Sequence, residues 1–424
     1  MNNNFRIGLA LSGGGYRAAA YHLGTLKTLN KLGLLDKVDV ISSVSGGSIL
    51  AAYYALHKNE SFDEIEKNFK KCLSHCSLWG AVINLLIIAI ALILIFIYTN
   101  GYIFTLSIVI VFLFGFKLIP SSKWIAYSYN KIFFKGKKLS DLPDIPVIGI
   151  NSTDITTGTL FTFSKQSVGG YYYRNKQSNI SYIDPTNIPI AFAVSCSTCV
   201  PSFFSPLEID KSYWLEHPEN LKPILVDGGL YDNQGAYILS QGSNKLYRTN
   251  TIIISDAGNT RPAYKKLKNT IGLVLESVEI LMNRIRSIQI RDNIYKASQN
   301  DSPYFAYVSL SWGDWNSMPS RFMYNVLKGN VSDLVLHCHG IPLSLVQQAQ
   351  NKDISAQNKI IELYKESINW ESMLKEAQSE SNHKKALRIC TNLIPLSDKE
   401  INVLIEHSEW LSELQIKTYL PHLL

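Results

Sequence analysis

Two stretches decide the fold: Ile7-Gly8-Leu9-Ala10-Leu11-Ser12-Gly13-Gly14-Gly15-Tyr16-Arg17 and Val38-Asp39-Val40-Ile41-Ser42-Ser43-Val44-Ser45-Gly46-Gly47. In each, an apolar strand-like run ends in small residues and a helix-like segment follows. Strand, tight turn and helix in succession lift a serine clear of a sheet and point its hydroxyl into a cleft. The small residues flanking Ser45 allow the strained bend without a side-chain clash. Glycine-rich turns also leave backbone N–H groups open to an anion, such as the oxyanion of an acyl-transfer intermediate. The pattern points to an α/β fold and a serine acyl hydrolase.

Each motif has a plainer reading. Gly13-Gly14-Gly15 resembles a nucleotide loop, but Ala18 stands where Gly-x-Gly-x-x-Gly needs its third glycine. No Gly-Lys-Ser/Thr follows, which excludes a P-loop. Ser45 alone can also be read as a helix N-cap. A third element changes the balance. The short strand Pro223-Ile224-Leu225-Val226 runs into Asp227-Gly228-Gly229-Leu230-Tyr231-Asp232-Asn233. An acidic residue at a strand end can meet a second strand-end loop across an open sheet. Alone, Asp227 reads as a turn aspartate bonded to its own backbone.

With these three elements in order, the chain resembles the patatin-like phospholipases. That family's signature combines Gly-Gly-Gly-x-Arg/Lys, a Gly-x-Ser-x-Gly elbow and Asp-Gly-Gly/Ala. Asn151 to Gly158 and Ala193 to Phe204 also look like family landmarks, and a fainter likeness begins at Thr391-Asn392-Leu393. The resemblance covers roughly Arg6 to Thr260. One position departs: Ser43 stands where the family usually has glycine. The resemblance implies a three-layer sandwich around a mostly parallel sheet. It also implies a dyad of Ser45 as nucleophile and Asp227 as base. Gly13, Gly14 and Gly15 would form the oxyanion hole, supported by Arg17, Gly46, Gly47, Gly228 and Gly229. A free aspartate has a pKa of about 4, so Asp227 needs a partly desolvated site to act as a base. None of the nine histidines, His22, His57, His217, His337 and His339 among them, is a convincing triad member. Arg17 either pins the glycine loop, attracts a phosphate, or is a solvated helix residue.

The second informative stretch is uncharged from Ser77 to Phe116. Ala81 to Tyr98 is almost wholly aliphatic, Tyr102 to Phe116 nearly so, and Thr99-Asn100-Gly101 marks a turn between them. Eighteen helical residues rise about 27 Å, close to a bilayer's hydrocarbon thickness. Lys117-Leu118-Ile119 can extend the second run by snorkelling. A transmembrane helical hairpin spanning Ala81 to Phe116 is therefore expected, in preference to two buried core helices. Lys67, Lys70 and Lys71 precede it, and Lys117, Lys123, Lys131, Lys135, Lys137 and Lys138 follow. The positive-inside rule puts both flanks and the catalytic domain on the cytoplasmic side. Ser45 and Asp227 lie on opposite sides of the insertion in sequence, which demands the same topology. The lysines also suit anionic headgroups.

Within 424 residues the expected organisation is a catalytic domain over 1–76 and 120–346, interrupted by the hairpin at 77–119 and followed by a helical region at 347–424. A net charge of +7, partly owed to the hairpin flanks, gives no case for nucleic acid. No secretory signal is evident in Met1 to Leu11. Cys196-x-x-Cys199 has no second pair to complete a zinc site, and His337-Cys338-His339 is a weak metal signal, so no metal, cofactor or disulfide is expected. Lys165 to Pro185 reads as a tyrosine-rich surface excursion. Ile271 to Ala297 reads as an amphipathic helix whose Arg284, Arg286 and Arg291 serve packing or membrane contact. The expected partner is a lipid. Phospholipid, lysophospholipid, glyceride and acyl-thioester all suit the chemistry. The competing class is a non-enzymatic membrane scaffold, against which the intact motifs argue.

Overall fold

The computed structural model describes residues 5–174, 181–201, 204–216, 221–242, 244–258, 270–295 and 304–424. His217, Thr260, part of the Ala193 to Phe204 landmark and part of the Lys165 to Pro185 excursion lie outside them, as does the side chain of Arg291. The strands are β1 (Ile7–Leu11), β2 (Val38–Val44), β3 (Val147–Asp154), β4 (Thr159–Phe163), β5 (Val168–Gly169), β6 (Leu207–Glu208), β7 (Ile224–Asp227), β8 (Thr251–Asp256) and β9 (Tyr304–Ser309). They form one sheet in the order β5-β4-β3-β2-β1-β8-β9, with β7 on β3 and β6 on β7.

Alternation along the strands creates two covered faces. In β1, Ile7, Leu9 and Leu11 join one apolar cluster and Ala10 joins another. In β8, Ile253 points to the first and Ile252 and Ile254 to the second. Burial on both faces is what parallel α/β strands require. The centre, β3-β2-β1-β8-β9, is indeed parallel. The flanking strands β4 to β7 are antiparallel, so the sheet is mixed where a mostly parallel one was expected. The cause is local. Ile155 to Gly158 is too short for a crossover helix. Asp154 locks that turn by accepting the Thr156 N–H at 3.0 Å and the Thr157 hydroxyl at 2.6 Å.

The helices that bear on the site are α1 (Gly15–Lys31), α2 (Gly46–His57), α3 (Phe62–Leu73), α4 (Trp79–Tyr98), α5 (Gly101–Leu118), α6 (Ser121–Tyr129), α7 (Ile190–Thr198), α8 (Gly229–Asp232), α9 (Tyr237–Ser240) and α10 (Thr270–Tyr295). The first face of the sheet carries α1, α2, α3 and α7 together with the final helix Asp398–Tyr419, whose Leu404, Leu411 and Leu414 share their core. Thr28 Oγ1 donates to Glu409 O at 2.8 Å, and a Cβ on Gly24 would meet Ile405 O at 2.3 Å. The second face is closed more thinly, by α9 and Ile290 of α10. Of α10's described arginine side chains, Arg286 is the buried one. Its Nε lies 2.6 Å from Asp256 Oδ2, buried at the end of β8, so it serves packing.

Between α3 and α6 the chain leaves the domain as a helical hairpin. Asn100 Oδ1 caps α5 by accepting the Ile103 N–H at 3.1 Å, and Phe96 meets Phe104 edge-on at 4.9 Å. Apolar side chains lie bare along it: Ile87 is 60% exposed and Phe96 63%. Among the described residues, Trp79–Tyr98 has the length and apolarity to cross a bilayer. In α5 the unbroken described apolar run is Gly101–Val111, so among the described residues one helix meets the measure where two were expected.

Candidate active site

Ser45 sits between β2 and α2 with φ +49° and ψ −119°. A non-glycine residue held there stores about 1–3 kcal/mol of strain, which persists only when the surroundings impose it. They do. A Cβ on Gly46 would lie 1.9 Å from Gly15 O, and one on Gly47 would lie 2.4 Å from Leu11 O. Only glycine fits beneath the elbow. From above, the Ser45 N–H donates to Ser197 Oγ at 2.9 Å, and Ser197 Oγ donates to Asn151 O at 2.6 Å. Ser43 is accommodated because its hydroxyl donates to Gly149 O at 3.1 Å across the sheet.

Asp227 ends β7, paired with Ser152 of β3. Its N–H donates to Cys199 O at 3.0 Å, and its Oδ1 accepts the Gly229 N–H at 2.7 Å. Among the described residues, Oδ2 is buried without a hydrogen-bond partner. Burial raises the carboxyl's pKa to about 6, while the Gly229 N–H and the Ser45 hydroxyl pull it back. Ser45 is thus near enough to be felt electrostatically, although no fully formed hydrogen bond joins the pair. Gly228 permits the approach, since a Cβ there would meet Asn151 O at 2.3 Å.

The glycine loop closes the third side. Gly14 and Gly15 take φ +143° and +58° as α1 begins, and their N–H groups have no partner among the described residues. Gly13 differs. Its N–H donates to Asn233 O at 2.9 Å, so of the three glycines Gly14 and Gly15 keep open amides among the described residues. Gly13 instead provides clearance: a Cβ would lie 2.3 Å from Asn233 Oδ1 and 3.3 Å from Ser45 Cβ. Both α1 and α2 start at this point, and helix N-termini favour negative charge.

A family model described as patatin-like phospholipase matches residues 9–239, more than half of the chain. The chain belongs to the patatin-like phospholipase family. Among solved structures, human GIVD cytosolic phospholipase A2 is similar at 14% identity and TM-score 0.36, over 59% of this chain and 42% of that one. Its complex with methyl gamma-linolenyl fluorophosphonate gives 14% identity and TM-score 0.47, over 97% of this chain and 57% of that one. VipD from Legionella pneumophila gives 14% identity and TM-score 0.33, over 96% and 91%. Likenesses this remote carry no argument about chemistry, and the chain spans less than two thirds of either phospholipase A2 structure. No curated protein matched the sequence.

In this patatin-like chain, Arg17 is a strut. It is buried, and its two terminal nitrogens donate to Ile389 O at 3.1 Å and Ala257 O at 2.9 Å, which removes it from phosphate binding. His22 is a strut too. Its Nε2 meets Ser12 O at 2.9 Å and its Nδ1 meets Ser255 Oγ at 2.7 Å, while burial lowers its pKa to about 4. His57 bonds Tyr53 O within its own helix, and both ring nitrogens of His339 are taken up by Ser367 Oγ and Thr418 O. Cys196 and Cys199 are buried free thiols, with Cys199 Sγ donating to Cys196 O at 3.2 Å.

Three contributors escaped the motif reading. Ser197 holds the elbow, Asn233 holds Gly13, and Asn392 O accepts the Tyr16 N–H at 2.9 Å and lies so close that a Cβ on Gly15 would come within 2.2 Å of it. All three lie in stretches whose likeness was visible, but a backbone carbonyl or a single hydroxyl leaves no residue-type signature.

Proposed function

We propose that the chain is a membrane-anchored lipid acyl hydrolase working through Ser45 and Asp227. The observation that carries this reading is the unpartnered, buried Asp227 Oδ2 beside a strained Ser45. Ser45 Oγ attacks the ester carbonyl carbon while Asp227 takes its proton. A carboxyl titrating near 6 remains ionised at neutral pH yet is basic enough to assist. The tetrahedral oxyanion falls to the Gly14 and Gly15 amides, each such donor being worth about 2.7–4 kcal/mol in comparable sites. Collapse breaks the ester bond, and Asp227 returns the proton to the leaving alkoxide. Water then attacks the acyl-serine, giving its proton to Asp227, and Ser45 is restored with release of the fatty acid.

The substrate class follows from family membership together with the exposed apolar hairpin. So large a bare apolar surface is costly in water and suits a lipid phase. Both ends of the hairpin return to the catalytic domain, which supports an anchor that enters and leaves on one face. The lysines beside it, including Lys123, Lys131 and Lys135, favour the cytoplasmic face. Anchoring raises the effective concentration of lipid at the site.

Ser45→Ala tests the chemistry: ester hydrolysis and fluorophosphonate labelling should both vanish while the circular dichroism spectrum is unchanged. Persisting label places the nucleophile elsewhere. Replacing Trp79 to Phe116 with a short polar linker tests the anchor. The shortened protein should leave the membrane pellet, and sedimentation with vesicles after a high-salt wash would refute the hairpin's role.

A further inference from the structure

The two roots of the hairpin are bonded to the groups that make up the site. At the entry, Ser77 Oγ lies 2.5 Å from the Tyr16 hydroxyl, which also donates to His75 O at 3.1 Å. Tyr16 is fully buried and directly follows Gly15, one of the two open amides. At the exit, α6 is fastened by Ser121 Oγ, which accepts the Ser205 N–H at 2.9 Å, and by Ser122 Oγ, which donates to Ser205 O at 2.5 Å. The carbonyl of Ser122 accepts the Ser195 hydroxyl of α7 at 2.8 Å. Two residues on, Ser197 of the same helix holds the Ser45 N–H. Further along α6, the Tyr129 hydroxyl donates to Thr198 Oγ1 at 3.3 Å, and the adjoining Cys199 carbonyl holds the Asp227 N–H.

Three short paths therefore run from the hairpin: Ser77 to the oxyanion amides, Ser122 to the nucleophile's backbone, and Tyr129 to the base's backbone. Each passes through buried hydroxyls, which fix direction as well as distance. The roots also clasp each other, since a Cβ on Gly80 would sit 3.1 Å from Trp124. Beyond them, a 20-residue α4 extends about 30 Å with its apolar side chains largely bare. Beyond the roots, the bare side chains leave the tilt of so long a lever to its surroundings.

We infer that bilayer engagement of the hairpin sets the alignment of the site, with Tyr16, Ser195 and Tyr129 as positioning residues that transmit it. The inference rests on the proposed Ser45–Asp227 chemistry and on the hairpin as anchor. Alignment is a lever with large effect, because a 1 Å misplacement can cost about 100-fold in rate.

The test uses the full chain, in detergent micelles and reconstituted in phosphatidylcholine–phosphatidylglycerol vesicles, with a short-chain water-soluble ester that needs no access to the bilayer. The wild type should gain about tenfold in kcat on reconstitution with KM changed less than about twofold, the signature of alignment rather than substrate capture. Tyr16→Phe and Ser195→Ala each remove one hydroxyl from a path. Both should cut the gain below about twofold while the circular dichroism spectrum is unchanged. A wild-type kcat that is equal in both environments, or a gain that the variants keep, overturns the inference while leaving the serine chemistry intact. A Ser45→Ala enzyme that still turns over the ester removes the underlying reading as well.

Discussion

The elbow and the hairpin make opposite use of small and apolar residues. Around Ser45, backbone meets backbone so closely that Gly15, Gly46, Gly47 and Gly228 each exclude a single methyl. Along α4 and α5, Gly101 and Gly115 have nothing within 4 Å of a would-be Cβ, and large aliphatic side chains face outward. One region is specified atom by atom, the other by composition over a length. Sequence change should therefore be felt sharply in the first and diffusely in the second.

The largest expected effect is on turnover. Asp227→Asn is nearly isosteric and removes the proposed base, so kcat/KM should fall by about 10³-fold or more. His57→Gln, half-buried at the far end of α2, should stay within about tenfold, since that asks no more than about 1.4 kcal/mol of it. A dead His57 variant beside an active Asp227→Asn enzyme would replace the dyad with a triad. His22 is a poor control because it supports the strand below the glycine loop.

Next comes Gly46→Ala, which places a methyl 1.9 Å from Gly15 O with only backbone to yield. A loss of about 3 kcal/mol or more in denaturant unfolding is expected, or failure to accumulate as folded protein. A stable, active Gly46→Ala enzyme would mean the elbow is not as tightly apposed to the glycine loop as described.

A smaller effect concerns pH and stability. Burial raises Asp227 above its unfolded value of 3.8 to about 6. Below pH 3.8 the carboxyl is protonated in both states and costs nothing. Between there and about 6 the unfolded chain ionises first, and stability declines as pH rises. Above about 6 the cost is fully present. Asp227→Asn should thus melt higher than wild type at pH 7 and at nearly the same temperature at pH 3.5. The opposite order would indicate a stabilised carboxylate. Catalysis runs the other way, with kcat/KM rising through the same range as the base ionises.

The smallest effect is expected in the hairpin. Ile87→Ser, at a side chain 60% exposed, should change the domain's unfolding free energy by less than about 0.5 kcal/mol, read by denaturation in detergent. A loss of several kcal/mol would mean that α4 packs against protein.

The same contrast explains what was legible in the sequence. Ser45, Asp227 and the glycine loop stood out because strained turns and close approaches admit few residue types. The parallel centre of the sheet was an expectation of the family resemblance carried by Gly13 to Gly15, Ser45 and Asp227. The antiparallel flank did not, because it turns on how Asp154 bonds to Thr156 and Thr157. The spent amide of Gly13 was equally silent, since its partner is a backbone carbonyl. Arg17 could not be decided either, because an arginine in a helix's first turn reads alike whether it meets carbonyls, phosphate or water.

The carbonyl of Asn392 lies on the glycine loop and that of Ile389 holds Arg17, although both come more than 370 residues after their partners. During synthesis, the loop, the elbow and the aspartate all leave the ribosome before the segment that braces them. A nascent or prematurely ended chain would thus carry every signature motif, and its apolar hairpin, without a finished catalytic centre. Under the proposed lipid hydrolysis, attack on a membrane waits until the segment around Asn392 has been made.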